Sequence, residues 1–166
     1  RQTPAWPLEM SPRTLHEPTR AYRIGDPKGV YPIYSGEGAA RQEGRWHTKG
    51  QEVIYASSTY STAMLEKLAH FNGILPDGQH FIEITCPTGT SYEVVTADVL
   101  PKWIDAAEAR AFGSRWIADK RSAILIVPSY VARIETNVLI NPAHVDAKAI
   151  KRGLETPVWW DKRLLR

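Results

Sequence analysis

The 166-residue sequence predicts one compact α/β domain, or α+β by the looser division, with a central β-sheet flanked by short helices. Three observations carry this expectation. Apolar residues make up 43% of the chain and charged residues 23%, an ordinary globular balance at a length that one domain fills without disulfides or metal. Stretches with the two-residue period of strands are interleaved with stretches of helical period. The run "SAILIVPS", residues 122–129, stays apolar over the length of a strand, as a strand covered on both faces requires. Periodicity alone leaves α/β and α+β open.

The elements follow in chain order. Residues 1–20, "RQTPAWPLEMSPRTLHEPTR", hold four prolines and no sustained period, which reads as an extended arm whose Trp6 and Leu8 could dock on a body spanning 21–166. "TRAYRI", 19–24, is the first expected strand, closed by the turn chemistry of "GDPKG". "EVIYASS", 52–58, is a short β-branched and aromatic strand. "STAMLEKLAHF" then places Ala63, Leu65, Leu68, Ala69 and Phe71 on one helical stripe, with Ser61 or Thr62 as N-cap. "HFIEITCP", 80–87, alternates, with Ile82, Ile84 and Cys86 on one side, and ends at Pro87. "DAAEARAFGSRWIADK", 105–120, is helix-forming but carries Gly113, so one or two short helices are expected. "NVLINPAH" is a last strand, stopped by Pro142. No repeat or low-complexity tract is visible.

Composition removes several function classes. No apolar run approaches the roughly 20 residues of a membrane span. Residues 1–20 show no charged-then-apolar export pattern, so either there is no export signal or the chain starts downstream of its natural start. A lone cysteine, Cys86, excludes an internal disulfide, reads as a small buried hydrophobe and suits a reducing, cytoplasmic setting. The net charge of +3 is spread along the chain, which argues against direct nucleic-acid binding. Five histidines lack the paired spacing of a zinc site, so no metal is expected. No G-x-S-x-G elbow and no Walker A pattern occurs.

What remains is a small polar set. "SGEGAARQEGRW", 35–46, is too polar and glycine-rich for a core element: it is a surface loop, or a ligand loop in which Gly36 and Gly38 let backbone approach while Arg41 and Arg45 hold an anion. Arg23 sits in an expected strand, as an edge residue or as a phosphate or carboxylate clamp. Glu66 lies one helical turn after Thr62, between Leu65 and Leu68, on a solvated face or lining a cleft beside a centre that turns positive. Ser129 follows the apolar strand, as a turn cap or as a hydroxyl at the strand end where ligands collect. Such a set suits an anionic ligand with a carbocation-like centre, of which a dinucleotide joined to ribose and nicotinamide is one.

Seven pieces, "YRI" (22–24), "SGEGAARQEGRW" (35–46), "VIYAS" (53–57), "AMLEKLAH" (63–70), "VPS" (127–129), "NVLINPAH" (137–144) and the terminal "WWDKRLLR", together resemble the RES-domain family, the toxin halves of bacterial RES–Xre toxin–antitoxin pairs. The resemblance runs in order from residue 20 to 166 and implies a fold similar to ADP-ribosyltransferase toxins. It further implies NAD as substrate, cleaved at the nicotinamide–ribose bond. Carried over by position, Arg23 and Arg45 match the family's arginines, Tyr55 its strand tyrosine, Glu66 its glutamate and Ser129 its serine. In such a site Arg23 clamps the dinucleotide, Arg45 reaches its phosphates and Tyr55 stacks on or orients nicotinamide. Glu66 steadies the oxocarbenium, and Ser129 bonds a ribose or amide. Ile24 and His47 depart from residues common in relatives at those places.

The resemblance leaves three activities open. They are degradation of NAD with water or phosphate as acceptor, transfer of ADP-ribose to a protein, and a silent binding module whose cleft takes a nucleotide or an antitoxin segment. Met64 stands two residues before Glu66, where many protein-modifying relatives of the fold have a second acid, and this leans toward degradation. A cognate Xre-type antitoxin is the expected partner, touching the cleft mouth and either the 1–20 arm or the terminal "WWDKRLLR".

Overall fold

Strand pairing accounts for most of the architecture. A computed structural model describes residues 12–165, and in them the chain forms β1 (Arg13–Thr14), β2 (Thr19–Gly25), β3 (Ile54–Ser57), α1 (Tyr60–His70), β4 (His80–Cys86) and β5 (Ser91–Val94). It continues through α2 (Ala106–Asp119), β6 (Ile124–Pro128), β7 (Thr136–Ile140), β8 (Lys151–Arg152) and β9 (Thr156–Pro157). The strands join one sheet in the order β1-β5-β6-β7-β3-β2-β4-β8, with β9 also on β4. Only β5 and β6 run parallel, and α2 is the crossover between them. The other pairs are antiparallel, which places the domain in the α+β class.

The sheet is not equally zipped. β2 pairs with β4 along its whole length and β3 with β7 likewise, but β2 and β3 meet at one residue pair, Tyr22 opposite Ser57. Past that pair the two strands part, and the sheet opens between them.

Alternation then assigns the faces. Leu125, Val127 and Leu139 point to the α2 side and pack with Phe112 and Trp116, both essentially fully buried. Ile54, Ala56, Ile84, Ile124, Val138 and Ile140 form the opposite face, covered by Ile33 and Ile150. Both sides of β6 are thus covered, as its apolar run predicts. α1 sits over β2 and β3, where Ala63 joins Ile24, Val158 and Trp160. Cys86 is a buried core residue on β4.

Several expectations are corrected. α2 is a single helix, within the expectation of one or two, but longer than expected: Gly113 lies inside it, where a Cβ would run into the Trp46 carbonyl, so the glycine serves close packing rather than a break. Thr59, not Ser61 or Thr62, caps α1, its hydroxyl accepting from the Thr62 N–H. The expected stripe on α1 is also rotated. Leu65 and Ala69 are exposed, while Thr62 and Ala63 are buried. β5, in "TSYEVV", was unforeseen. The arm's boundary falls inside β2, and Arg13–Thr14 pairs with β5; residues 1–11, with Trp6 and Leu8, lie outside the described residues. No helix among the described residues is long and apolar enough to cross a membrane.

Candidate active site

The opening between β2 and β3 is the floor of a cleft of about 430 Å³, walled by α1 on one side and the glycine-rich loop on the other. That volume lies within the range of small-molecule sites. One face of α1 supplies its wall: Ala63, Glu66, Lys67 and His70, at three- and four-residue spacing.

Arg23 stands in the split. Its Nη1 donates to the Tyr55 carbonyl of β3 at 2.7 Å and its Nε to the Ile33 carbonyl at 2.5 Å, so the side chain replaces ladder bonds that the parted strands cannot make. Nη2 has no hydrogen-bond partner among the described residues, nor does the guanidinium meet a carboxylate there. Burial lowers the Arg23 pKa from its ordinary value. A half-buried cation held only by carbonyl dipoles makes the floor electropositive.

Glu66 faces this floor as the end of a hydrogen-bonded chain. Its Oε1 accepts from Ser129 Oγ at 2.8 Å and from Asn137 Nδ2 at 2.7 Å, while Asn137 Oδ1 accepts from Ser57 Oγ at 2.8 Å. Ser129 Oγ also accepts from the Ala132 N–H at 3.0 Å. One carboxylate oxygen is therefore fixed from two strands and a loop, and Oε2 has no partner among the described residues. Such a group is aimed, with little reorganisation left to make.

The loop is tied down by Tyr55 and His47. His47, buried at 3% exposure, donates from Nε2 to the carbonyls of Ala39 (2.7 Å) and Gln42 (2.9 Å). Those acceptors fix the tautomer, so Nδ1 accepts from the Tyr55 hydroxyl at 2.6 Å, which in turn accepts from the Trp46 N–H. Burial pushes the Tyr55 pKa well above its ordinary value, keeping the phenol neutral. A Cβ on Gly44 would lie 2.6 Å from His47 Nδ1 and 2.9 Å from Tyr55 Oη, so only glycine fits beside this latch. Arg110 Nε donates to the Gly44 carbonyl, pinning the loop to α2.

Residues 20–161 match the family model described as the RES domain. The chain belongs to the RES domain family. Among curated relatives, the "Prs ADP-ribosylating toxin" of Sphingobium sp. (strain YBL2) is 42% identical over 157 residues, 89% of this chain and 98% of that protein. "Toxin Res" of Pseudomonas putida is 34% identical over 130 residues, 76% of this chain and 89% of its own. The fold is similar to that in the crystal structure of the M. tuberculosis MbcT–MbcA toxin–antitoxin complex, with a TM-score of 0.69 at 16% identity over 87% of this chain and 86% of that one.

In this RES domain the residues expected from sequence come together unevenly. Arg23, Arg45, Tyr55 and Glu66 all line the cleft. Ser129 does not: it is fully buried, and its hydroxyl is bonded to Glu66 and Ala132. Arg45 lies over the Tyr130 ring (4.2 Å), and its Nη2 donates to the Trp103 and Ile104 carbonyls, so much of its fork ties the loop to the segment before α2. Its buried Nε has no hydrogen-bond partner among the described residues. Gly38 lines the cleft, whereas Gly36 packs against Val53 and Glu52. Arg41 turns outward onto Tyr31. Asn137, Lys67, Gly44 and Tyr130 were missed. Only Asn137 left a signal, a polar side chain inside an apolar strand.

Proposed function

We propose that this chain is a toxin that binds NAD in the cleft and breaks the nicotinamide–ribose bond, passing ADP-ribose to a protein acceptor. The observation that carries the reading is Glu66, with one oxygen held by Ser129 and Asn137 and the other left for a ligand across an electropositive floor. The bonding pair of the C–N bond leaves with nicotinamide, whose pyridinium nitrogen becomes neutral, so no general acid is needed. Ribose C1 becomes an oxocarbenium. The fixed Glu66 carboxylate opposes that charge where it develops, and an acceptor nucleophile forms a bond to C1 and gives up its proton to solvent. Arg23 favours the diphosphate, and Tyr55 holds the loop closed over the ligand.

Protein transfer is favoured over hydrolysis because the Sphingobium relative, matched over nearly its whole length, is an ADP-ribosylating toxin. Degradation with water or phosphate as acceptor is the second reading, favoured by Met64 at the place of a second acid. The silent binding module fits poorly with a carboxylate aimed so tightly. Similarity to a toxin–antitoxin complex supports an antitoxin partner, for which an Xre-type protein acting in the cytoplasm is our proposal. Incubation with labelled NAD, with and without cell lysate, separates the readings. Label on a protein band supports transfer; nicotinamide released equally without lysate supports degradation; release in neither removes both.

A further inference from the structure

We propose that Lys67 and Arg23 together form the diphosphate subsite of the cleft, and that Lys67, rather than Arg45, is the residue that responds to the phosphate charge. The inference rests on the NAD reading above. Both side chains line the same cleft, one from the α1 wall and one from the split floor. Arg23 makes two carbonyl bonds, and its Nη2 has no hydrogen-bond partner among the described residues. The Lys67 ammonium makes no hydrogen bond or ion pair among the described residues, its near neighbour being the Phe71 ring at 5.9 Å. Arg45 is placed otherwise, its Nη2 on two carbonyls and its guanidinium between the Tyr130 and Trp103 rings.

Neither cation makes an ion pair among the described residues, so the two repel when the cleft holds no anion, and a diphosphate offsets that repulsion. Arg23 on β2 and Asp26 just beyond it act on Lys67, and the other titratable groups of the cleft around it are Tyr22 on β2, Tyr55 on β3, and Glu66 and His70 on its own helix. Burial, then Arg23, bring the Lys67 pKa down to about 8, with Asp26 acting the other way. Lys67 is therefore charged below pH 8 and loses its proton above it. An anion that needs the charge binds best on the acid side.

Calorimetric titration of the purified chain with NAD and ADP-ribose tests this. Lys67→Gln is expected to weaken ADP-ribose about 10- to 100-fold at pH 7, the scale of one charge-assisted contact, while the thermal midpoint stays near the parent's. The parent's Kd should rise about tenfold from pH 7 to 9, as the free ammonium is titrated, and Lys67→Arg should hold its affinity across that range. An unchanged Kd in Lys67→Gln, or a pH dependence that persists in Lys67→Arg, overturns the assignment; the arginine variant decides alone if the glutamine variant does not fold. A folded parent that binds neither NAD nor ADP-ribose instead removes the NAD reading, and this subsite with it.

Discussion

Glu66 and Ser129 are paired through one 2.8 Å hydrogen bond, and that bond separates two roles. Ser129→Ala removes a donor to the carboxylate and the acceptor of the half-buried Ala132 N–H, an expected loss of about 1 kcal/mol in urea unfolding. Its turnover should fall by much less than that of Glu66→Gln, because Asn137 still holds Oε1. For Glu66→Gln the expected loss in kcat is roughly 100- to 1,000-fold with KM for NAD little changed, since its contact strengthens only as the glycosidic bond breaks. A variant that lost NAD binding but kept turnover would make Glu66 a ribose ligand. Arg23, Glu66 and Ser129 were legible in sequence as polar residues out of keeping with their elements. Lys67 and Gly44 were not, because what marks them is a tertiary neighbour: Arg23 from β2 for one, the His47–Tyr55 latch for the other.

At the scale of elements, strands were read well and helix faces poorly. Alternation in 80–87 placed Ile82, Ile84 and Cys86 in the core, because a strand buried on one side has no other arrangement. On α1 the stripe drawn through Leu65 and Ala69 is exposed, since the helix turns Ala63, Glu66, Lys67 and His70 into a cleft, and a cleft wall is not apolar. Gly113 reads as a breaker by propensity alone, yet α2 passes through it against the Trp46 backbone. Gly113→Ala therefore tests packing against propensity. Helix propensity alone would stabilise the variant by about 1 kcal/mol. Overpacking against the loop is expected to reverse the sign, a net loss of about 1–3 kcal/mol seen as a lower urea midpoint. An increase in stability would show that the loop yields freely there.

Over the whole molecule, a mixed α and β domain and the order of its longer elements were legible, with β5 missed and α/β against α+β left open, whereas the one feature that makes a site was not. A sheet that parts after the Tyr22–Ser57 pair cannot be read from either strand, because each strand is regular and only their relative register opens the gap. Arg23 is in the right place for chemistry because of that gap. The antitoxin proposal belongs to this scale too. A partner that silences the chain must cover the cleft mouth, where Tyr130 is 44% exposed, and the exposed Trp159 of the terminal segment offers further contact. Hydrogen exchange on the complex should protect the Tyr130 loop; a complex that leaves it and the cleft unprotected would contradict this.

The most direct test of the central claim is nicotinamide release from NAD by the purified chain and by its Glu66→Gln variant, measured side by side with an acceptor-containing lysate. The account predicts release by the parent, a loss of roughly 100-fold or more in the folded variant, and unchanged NAD affinity in both. Equal release by the two proteins, or none from a folded parent that binds NAD in the presence of lysate, would contradict it.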